Sequence, residues 1–376
     1  MQDGQFMVVG GGLVGASIAY GAARRGVQVV LLDQGDVAHR ASRGNFGLVW
    51  VQSKGDKLPR YAQWSRDAAK LWPKLAEELL ESTGVDTALQ QPGGFWIGFS
   101  EQEIQERQAL LERIDRTVGG IPFEMLDHSA LKQRLPGIGP KVAGGSYCKL
   151  DGHANPLMLM HALHAGLLRC GAQVVSGVDV VTIKAGPYGF EAIAKQGGRW
   201  RAGRLALAAG LGNFELAKQI GLHAPVLPNR GQVLITERLK PFLPYPTNKA
   251  RQTNEGTVQL GYSVEDVGLD DGTTASAIEW IAKRGVETFP ALSRARLVRA
   301  WGALRVMTPD GLPIYQESSA YPGSFVATSH SGVSLAATHA FEVGPWMAGL
   351  AQAPQGLDAF KGERFLDTTR SFSHAH

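Results

Sequence analysis

Three glycines and one acidic residue near the N-terminus have the spacing of sites that bind a pyrophosphate. Gly10, Gly12 and Gly15 follow an apolar run, Phe6 to Val9, with G-x-G-x-x-G spacing, and Asp33 ends the next apolar run. Glycine lets the backbone turn tightly and approach a phosphate, and an acid after the second strand accepts hydrogen bonds from ribose hydroxyls. The pattern predicts a dinucleotide site with its phosphates at the positive end of a helix. A glycine-rich structural turn is the alternative.

The segment after Asp33 is predicted to reach the same ligand. It is too rich in glycine and polar residues for a regular element, and too apolar at 46–51 for a solvent linker. Ser42, Asn45 and the backbone of Gly44 and Gly47 are the candidate contacts. A loop that only packs on the sheet is the alternative.

Two further strand ends are predicted to lie close to this ligand. One buried strand ends in Ala208, Ala209 and Gly210, and the last strand leads into a turn at 330–333. The helix expected after Gly332 directs a second positive end into the crevice, which stabilises the negative charge that a flavin gains on reduction. This favours FAD over NAD, and an NAD-dependent dehydrogenase remains the more remote alternative.

Composition excludes several other classes of protein. The 376 residues include 38 basic and 34 acidic residues without a run of five like charges, which argues against nucleic-acid binding. Cys148 and Cys170 are too few for an iron–sulfur or structural zinc site, and His161 and His164 have no evident third ligand, so no metal is expected. No long apolar run and no signal peptide are evident, which predicts a cytoplasmic protein without a transmembrane segment.

The elements needed to position these residues predict an α/β fold with two domains. Strand–turn–helix patterns recur in three separated segments, 1–80, 146–225 and 306–376, which predicts a Rossmann-like cofactor domain assembled from discontinuous pieces. Residues 81–145 and 226–305 predict an α+β substrate domain with a largely antiparallel sheet.

Motifs along nearly the whole chain resemble those of FAD-dependent oxidoreductases of the D-amino acid oxidase and sarcosine oxidase type. They are GGGLVGASIAY with LLD, ASRGNFGLVW, DGHANPLML, LALAAG, PNRGQV, LRVMTPDGLPIY and TSHSGVSLAA. GNFGLVWVQSKG together with RVMTPDGLPIY is more specifically similar to the β subunit of heteromeric dehydrogenases for opines, D-hydroxyproline or proline.

The resemblance implies an FAD site at the N-terminal turn. The predicted cofactor-binding residues are Gly10, Gly12, Leu13, Val14, Gly15, Asp33, Gln34, Ser42, Arg43, Gly44, Asn45, Phe46, Gly47, Leu48, Val178, Ala209, Gly210, Arg305, His330, Ser331, Gly332, Val333 and Ser334. Sarcosine oxidases that attach FAD covalently have a cysteine just before the T-P-D-G turn. Because Val306 and Met307 stand there in this chain, we expect non-covalent FAD.

The same resemblance assigns the substrate arginine to Arg305. A guanidinium grips a carboxylate with two parallel hydrogen bonds and sets the α-carbon over the flavin. A salt bridge to Asp310 across the turn is the alternative for this residue. Tyr262 and His330 are candidates to orient or deprotonate the substrate amine, and packing or structural hydrogen bonding is the alternative for both.

The expected reaction is oxidation of a small amino acid, with a secondary amine favoured, by hydride transfer to FAD. The resemblance implies a companion subunit with further redox centres, and also a second flavin, FMN, at a subunit interface near Lys149, Asp151 and His153. A self-sufficient sarcosine, glycine or D-amino acid oxidase that produces hydrogen peroxide is the alternative. A flavoprotein fold kept as a structural or RNA-binding subunit is a further alternative, disfavoured by the balanced charge.

Overall fold

The computed structural model describes residues 2–35 and 41–366. Three parts of the predicted cofactor domain therefore lie outside the described residues. They are residue 1, residues 36–40 in the predicted ligand loop and residues 367–376 at the end of the third predicted segment.

The described residues form seventeen strands and nine α-helices. The strands are β1 (Gln2–Val9), β2 (Val29–Leu32), β3 (Leu48–Val49), β4 (Gly94–Gly98), β5 (Phe123–Asp127), β6 (Gly144–Cys148), β7 (Gly152–His153), β8 (Gln173–Val175), β9 (Val180–Gly186), β10 (Gly189–Ala194), β11 (Arg199–Leu207), β12 (Leu227–Arg238), β13 (Ala250–Gln252), β14 (Thr257–Gly261), β15 (Leu297–Met307), β16 (Ile314–Glu317) and β17 (Ser324–Thr328). The helices are α1 (Leu13–Ala23), α2 (Pro59–Thr83), α3 (Glu101–Val118), α4 (His128–Arg134), α5 (Pro156–Arg169), α6 (Asn213–Leu216), α7 (Ala275–Thr288), α8 (Ala336–Thr338) and α9 (Gly344–Met347).

The largest sheet has a parallel centre in the order β17, β11, β1, β2 and β8. Phe6, Met7 and Val8 are fully buried because both faces of the sheet are covered. Phe6 and Val8 pack in a cluster with residues of α1, α2 and α5, and Met7 packs in a cluster with residues of β9 and β10. Val9 pairs with Leu32 on one side and with Leu207 on the other. The carboxyl ends of the five parallel strands therefore meet at one edge, which is where such folds bind ligands.

A second sheet is antiparallel, in the order β13, β14, β12 and β15, and a third is formed by β4, β6 and β5. One apolar cluster joins them, with Phe95 and Ile97 from the third sheet packed with Leu234 and Leu260 from the second. The predicted fold class, a parallel Rossmann-like sheet with separate antiparallel sheets, is thus confirmed.

The exact division into domains stays a prediction. The predicted boundaries at 145/146 and 305/306 fall inside β6 and β15 respectively. Since β6 pairs with both β4 and β5, residues 144–148 belong to one sheet throughout.

The predicted helix after Gly332 begins later than the sequence pattern suggested. Residues 332–335 form a turn, with Leu335 N donating to Ser331 O at 3.0 Å, and regular helix starts at Ala336. The Val333 carbonyl accepts from Trp72 Nε1 at 3.0 Å, so a side chain from α2 holds this turn. The helix then continues to Met347 through a π-helical stretch at His339–Val343.

Candidate active site

The turn after β1 has room only for glycine at two positions. Gly10 has φ of +107°, and a Cβ there would lie 2.3 Å from the Ala208 carbonyl oxygen. A Cβ on Gly15 would lie 1.9 Å from the Gly10 carbonyl oxygen, so Gly15 allows α1 to start directly against the turn. Both contacts are with backbone atoms that cannot move aside without disturbing the sheet edge.

Asp33 is fixed at the end of β2 beside this turn. Its Oδ2 accepts from Gly11 N at 2.6 Å, and its Oδ1 accepts from Gly35 N at 2.8 Å. His164 of α5 lies behind the turn with Nε2 2.9 Å from the Gly11 carbonyl oxygen. The carboxylate therefore has a defined position from which to meet a ribose.

A cavity of about 370 Å³ opens in front of the turn. Its lining includes these predicted cofactor residues: Gly10, Gly12, Leu13, Val14, Asp33, Gln34, Ser42, Asn45, Val178, Ala209, Gly210, His330 and Gly332. Ser42 Oγ accepts from Leu13 N at 2.9 Å, which brings the loop after β2 onto the first turn of α1. A Cβ on Gly12 would lie 2.8 Å from that hydroxyl oxygen, so this glycine also keeps the loop close.

A second cavity of about 880 Å³ adjoins the first, and Ala41, Asn45, Val306 and His330 line both. Its lining includes these further predicted residues: Gly44, Phe46, Leu48, Tyr262, Arg305, Ser331, Val333 and Ser334. The site predicted at positions scattered over the chain is thereby brought together around two connected cavities. Contact of each residue with a cofactor stays a prediction.

Three predicted cofactor residues line neither cavity. Gly15 packs the turn, as described above. Gly47 has φ of +88°, and a Cβ there would lie 2.5 Å from the Ala154 carbonyl oxygen, so its role lies in the course of the loop. Arg43 is exposed.

Arg305 lies on β15 with its guanidinium held by the neighbouring strand and loop. Nη1 donates to Asn229 Oδ1 at 2.8 Å and to the Arg230 carbonyl oxygen at 3.2 Å, and Nη2 donates to the Ser263 carbonyl oxygen at 2.9 Å. The guanidinium carbon lies 4.9 Å from the centre of the Tyr262 ring. Burial lowers the pKa of this guanidinium, as it does for a cation whose counter-charge is not supplied by a direct ion pair.

Asp310 is not the partner of Arg305, so the alternative of a salt bridge across the turn is wrong. Arg364 binds the Asp310 carboxylate with two hydrogen bonds, from Nε at 2.7 Å and from Nη2 at 3.1 Å. Arg364 also donates to the carbonyl oxygen of Leu312. Arg364 thus holds the T-P-D-G turn in place by hydrogen bonds. Arg305 instead lines the larger cavity.

His330 lies where the two cavities meet. Burial, followed by the charges of Lys54 and Arg305, lowers its pKa well below the ordinary value. Its Nε2 lies 3.4 Å from Lys54 Nζ, and that ammonium also donates to Ser331 Oγ at 3.1 Å. The neighbouring Lys54 ammonium disfavours a second positive charge on the imidazole ring, which favours an orienting role over proton abstraction.

Lys54 is a site residue that the sequence interpretation missed. It belongs to the quoted motif GNFGLVWVQSKG, which was a usable signal, but a lysine in a polar loop is ordinarily solvated. Only the fold brings Lys54 next to His330, which lies 276 residues later in the sequence.

The cavity-lining loop is held by buried polar groups from three directions. Ser334 Oγ accepts from Trp50 N at 3.1 Å and donates to the Leu48 carbonyl oxygen at 3.0 Å. Arg251 Nε donates to the Phe46 carbonyl oxygen, and Asp151 accepts from Val51 N at 2.6 Å. These contacts fix a segment that has little regular structure of its own.

Asp151 and His153, named in the prediction of an interface flavin, are interior residues. Asp151 is fully buried and His153 is 4% exposed, and burial raises the pKa of Asp151 to about 7 and lowers that of His153 to about 3. In this position both support the loop that precedes α2 and neither is presented at the surface.

Comparison with known proteins places the chain in a family. The family model described as DAO, FAD dependent oxidoreductase, matches residues 5–348. The chain belongs to this family of FAD-dependent oxidoreductases. The B subunit of opine oxidase from Rhizobium meliloti is 41% identical over 367 residues, covering 97% of this chain and 98% of that protein, and its counterpart of the same name from Agrobacterium tumefaciens (strain Ach5) is 42% identical with the same coverage. The crystal structure of glycine oxidase from Geobacillus kaustophilus superposes with a TM-score of 0.87 at 23% identity, over 100% of both chains.

The first cavity fits the nucleotide half of FAD. Gly10 and Gly12 expose backbone where a Cβ would intrude, and Asp33 stands at the strand end. Thr328 Oγ1 is buried in the lining without a hydrogen-bond partner among the residues that the structure describes. An unsatisfied buried hydroxyl costs free energy unless a ligand completes it. The family match confirms the prediction of an FAD-dependent oxidoreductase.

The sequence analysis also predicted a protein with neither a transmembrane segment nor a metal site. Between residues 2 and 366, outside 36–40, none of the helices has both the length and the apolar composition to cross a bilayer. In the same ranges, acidic, histidine and cysteine side chains form no group of three that could hold a metal ion.

Proposed function

We propose that this protein oxidises an amino acid with a secondary amine, such as D-hydroxyproline, proline or an opine, in an FAD-dependent reaction. The observation that carries the proposal is the position of Arg305. Its guanidinium lies in the larger cavity beside the residues shared with the nucleotide cavity, and its surroundings supply carbonyl and amide acceptors in place of a carboxylate. The similarity to the opine oxidase chains and to glycine oxidase supports an amino acid substrate.

In this proposal Arg305 holds the substrate carboxylate. Asn229 and Ser263 fix the guanidinium in advance, which lowers the cost of ordering it around the substrate. The Tyr262 ring lies against the guanidinium, and His330 and Lys54 line the same cavity. FAD, when bound, accepts the hydride equivalent from the substrate carbon next to the amine.

We further propose that FAD is held without a covalent bond and that the chain is the catalytic subunit of a larger complex. Cys148 is buried, Cys170 is exposed, and neither lines the two cavities among the described residues. Two cysteines cannot build a cluster, so electrons leave to an outside acceptor. Both opine oxidase relatives are named as one subunit of that enzyme, which supports a companion chain. The interface FMN and a cytoplasmic location stay predictions.

Anaerobic flavin bleaching tests the reaction. The purified yellow protein is mixed without oxygen with D-hydroxyproline, proline, sarcosine and an opine, and loss of the flavin absorbance is followed. Fast bleaching by at least one of these amines is expected, and failure of all of them together with bleaching by a nicotinamide cofactor would refute the proposal. Acid precipitation is expected to release all the flavin into the supernatant.

The electron acceptor is tested separately, with the substrate that bleaches fastest. Rapid reduction of an artificial dye with little hydrogen peroxide in air is expected for the subunit of a dehydrogenase. Peroxide formed as fast as the dye is reduced would instead identify a self-sufficient oxidase.

A further inference from the structure

The Arg305 guanidinium packs against a glycine of the neighbouring strand. In the antiparallel pair of β12 and β15, Asn229 lies directly opposite Arg305, and Gly231 is the next residue of β12 on the same face. A Cβ on Gly231 would lie 2.2 Å from Arg305 Nη2 and 2.5 Å from the guanidinium carbon. Asn229 and Gly231 belong to the motif PNRGQV. This motif therefore provides the space that the guanidinium occupies.

The hydrogen bonds that hold this guanidinium use only its terminal nitrogens. Nη1 donates to Asn229 Oδ1 and to the Arg230 carbonyl oxygen, and Nη2 donates to the Ser263 carbonyl oxygen. Within the described part of the chain, Nε donates to no protein acceptor. Because the five N–H donors of arginine form a rigid planar fork, the edge that carries Nε stays available to a carboxylate. Asn229 and Ser263 thus determine which edge of the guanidinium a ligand meets.

The amide of Asn229 has one orientation that satisfies both of its neighbours. Its Oδ1 accepts from Arg305 Nη1 at 2.8 Å, and its Nδ2 donates to Asp266 Oδ1 at 2.8 Å. If the amide were turned by half a rotation, its NH₂ group would face a guanidinium, which has only donors. Its oxygen would face an ionised carboxylate, which has only acceptors. Asp266 therefore fixes the orientation of the Asn229 amide.

Backbone pairing of the loop after β14 places Asp266 beside Asn229. Arg230 N donates to the Glu265 carbonyl oxygen at 2.8 Å, and Glu265 N donates to the Arg230 carbonyl oxygen at 3.0 Å. Since this pairing is antiparallel, the residue after Glu265 faces the residue before Arg230. The Glu265 carboxylate also accepts from Arg230 Nη2 at 2.7 Å. The loop is thus attached to β12 in a defined register.

We propose that Asn229 and Asp266 are positioning residues for the substrate carboxylate. Asp266 holds the Asn229 amide, and the amide holds the Arg305 guanidinium with its Nε edge open. The inference rests on the proposed function, in which Arg305 binds that carboxylate. Asn229 and Asp266 line neither of the two cavities, so they act through Arg305. Holding the arginine in place before binding lowers the entropic cost of ordering it around the substrate.

A double-mutant cycle tests whether Asp266 acts through Asn229. KM and kcat for dye reduction are measured with the amine that bleaches the flavin fastest. KM should rise about tenfold to a hundredfold in Asn229→Ala and about threefold to tenfold in Asp266→Ala, with kcat within about twofold of native. The double variant should match Asn229→Ala alone, because Asp266 has no further route to Arg305. Effects that multiply in the double variant, or a native KM in Asp266→Ala, would overturn the proposal.

Two further variants separate the orientation of the amide from the attachment of the loop. Asp266→Asn keeps an oxygen that can accept from Asn229, so its KM should stay within about twofold of native. Asp270→Ala is the matched control, since Asp270 is an exposed acid of the same loop that is bonded to Arg230 instead. Its KM should also stay within about twofold. Equal increases in Asp266→Ala and Asp270→Ala, at full flavin content, would overturn the role of the amide.

Binding without turnover separates this inference from the proposed reaction. Tetrahydrofuran-2-carboxylate carries oxygen in place of the proline amine, and tetrahydrofurfuryl alcohol lacks its carboxylate. Dissociation constants are measured from the change in the flavin spectrum. Asn229→Ala and Asp266→Ala should weaken binding of the carboxylate and leave binding of the alcohol unchanged. That result would support the positioning role even if no amine bleached the flavin, in which case only the proposed reaction fails. Equal weakening of both compounds would overturn the positioning role.

Discussion

The two adjoining cavities are built from different kinds of residue. The smaller one is formed largely by backbone and small side chains at the ends of β1, β2, β11 and β17, and Asp33 lines it at the end of β2. The larger one is formed by long side chains from separate strands and loops, among them Arg305, Tyr262 and Lys249. In the proposed function, the first cavity binds FAD, a ligand shared by the whole family, whereas the second selects the substrate. Changes in the two cavities should therefore have different consequences.

The largest effect is expected from Gly10→Ala in the smaller cavity. The new Cβ would lie 2.3 Å from the Ala208 carbonyl oxygen at a φ of +107°, which should cost about 3 kcal/mol or more in unfolding free energy. The variant should be largely colourless after purification, as measured by the ratio of flavin to protein absorbance. Gly26→Ala is the matched control, because Gly26 has φ of +84° with nothing within 4 Å. It should lose only about 1 kcal/mol and stay yellow.

A smaller effect, confined to turnover, is expected from Arg305→Lys in the larger cavity. The charge remains but the two-pronged geometry is lost, so kcat/KM should fall by about tenfold to a thousandfold, equivalent to ~1.4 to 4 kcal/mol. Flavin content should not change. Arg299→Lys on the exposed part of the same strand should leave kcat/KM as in the native protein. Native kinetics for Arg305→Lys with full flavin content would place the carboxylate site elsewhere.

Arg364→Met should distinguish the structural role of Arg364 from the substrate-binding role proposed for Arg305. It removes the two hydrogen bonds to Asp310, whose side chain is 11% exposed, and leaves a largely buried carboxylate without its cation. A loss of about 1–3 kcal/mol in unfolding free energy is expected, measured by urea denaturation. The kcat/KM of the folded variant should remain within about twofold of native. A large fall in kcat/KM at unchanged stability would contradict this division of roles.

The smallest effect is expected at His330, where the cavities meet. Since its pKa lies well below the ordinary value of about 6.5 for the reasons given above, His330 does not titrate between about pH 6 and 9. His330→Gln should therefore reduce kcat/KM by less than about fivefold and leave the inflections of its pH profile in place. Disappearance of an inflection near neutral pH would show that His330 is the base after all.

Part of the candidate site could be predicted because its determinants are local in sequence. Gly10, Gly12 and Gly15 follow one buried strand and Asp33 ends the next, so their spacing alone indicates the turn, the helix and the acid. The prediction for the C-terminal turn was less accurate. Its regular helix begins at Ala336, after a turn whose Val333 carbonyl accepts a hydrogen bond from Trp72, distant in sequence.

Other features of the larger cavity depend on contacts between distant segments. Arg364 captures Asp310 from 54 residues away and so excludes the local pairing of Asp310 with Arg305. Lys54 meets Ser331 across 277 residues. Such pairings follow no sequence period, which is why Lys54 could not be identified without the fold.

The sequence by itself determined the nucleotide-binding turn, the α/β class and the family, since each depends on backbone conformations and apolar patterns encoded within short segments. Only the tertiary structure decided which charged groups face the substrate cavity. Long side chains such as Arg305 and Arg364 have many accessible partners in an unfolded chain. Their actual partners are selected when sheet pairing and loop attachment bring some acceptors within hydrogen-bonding distance and leave others out of reach.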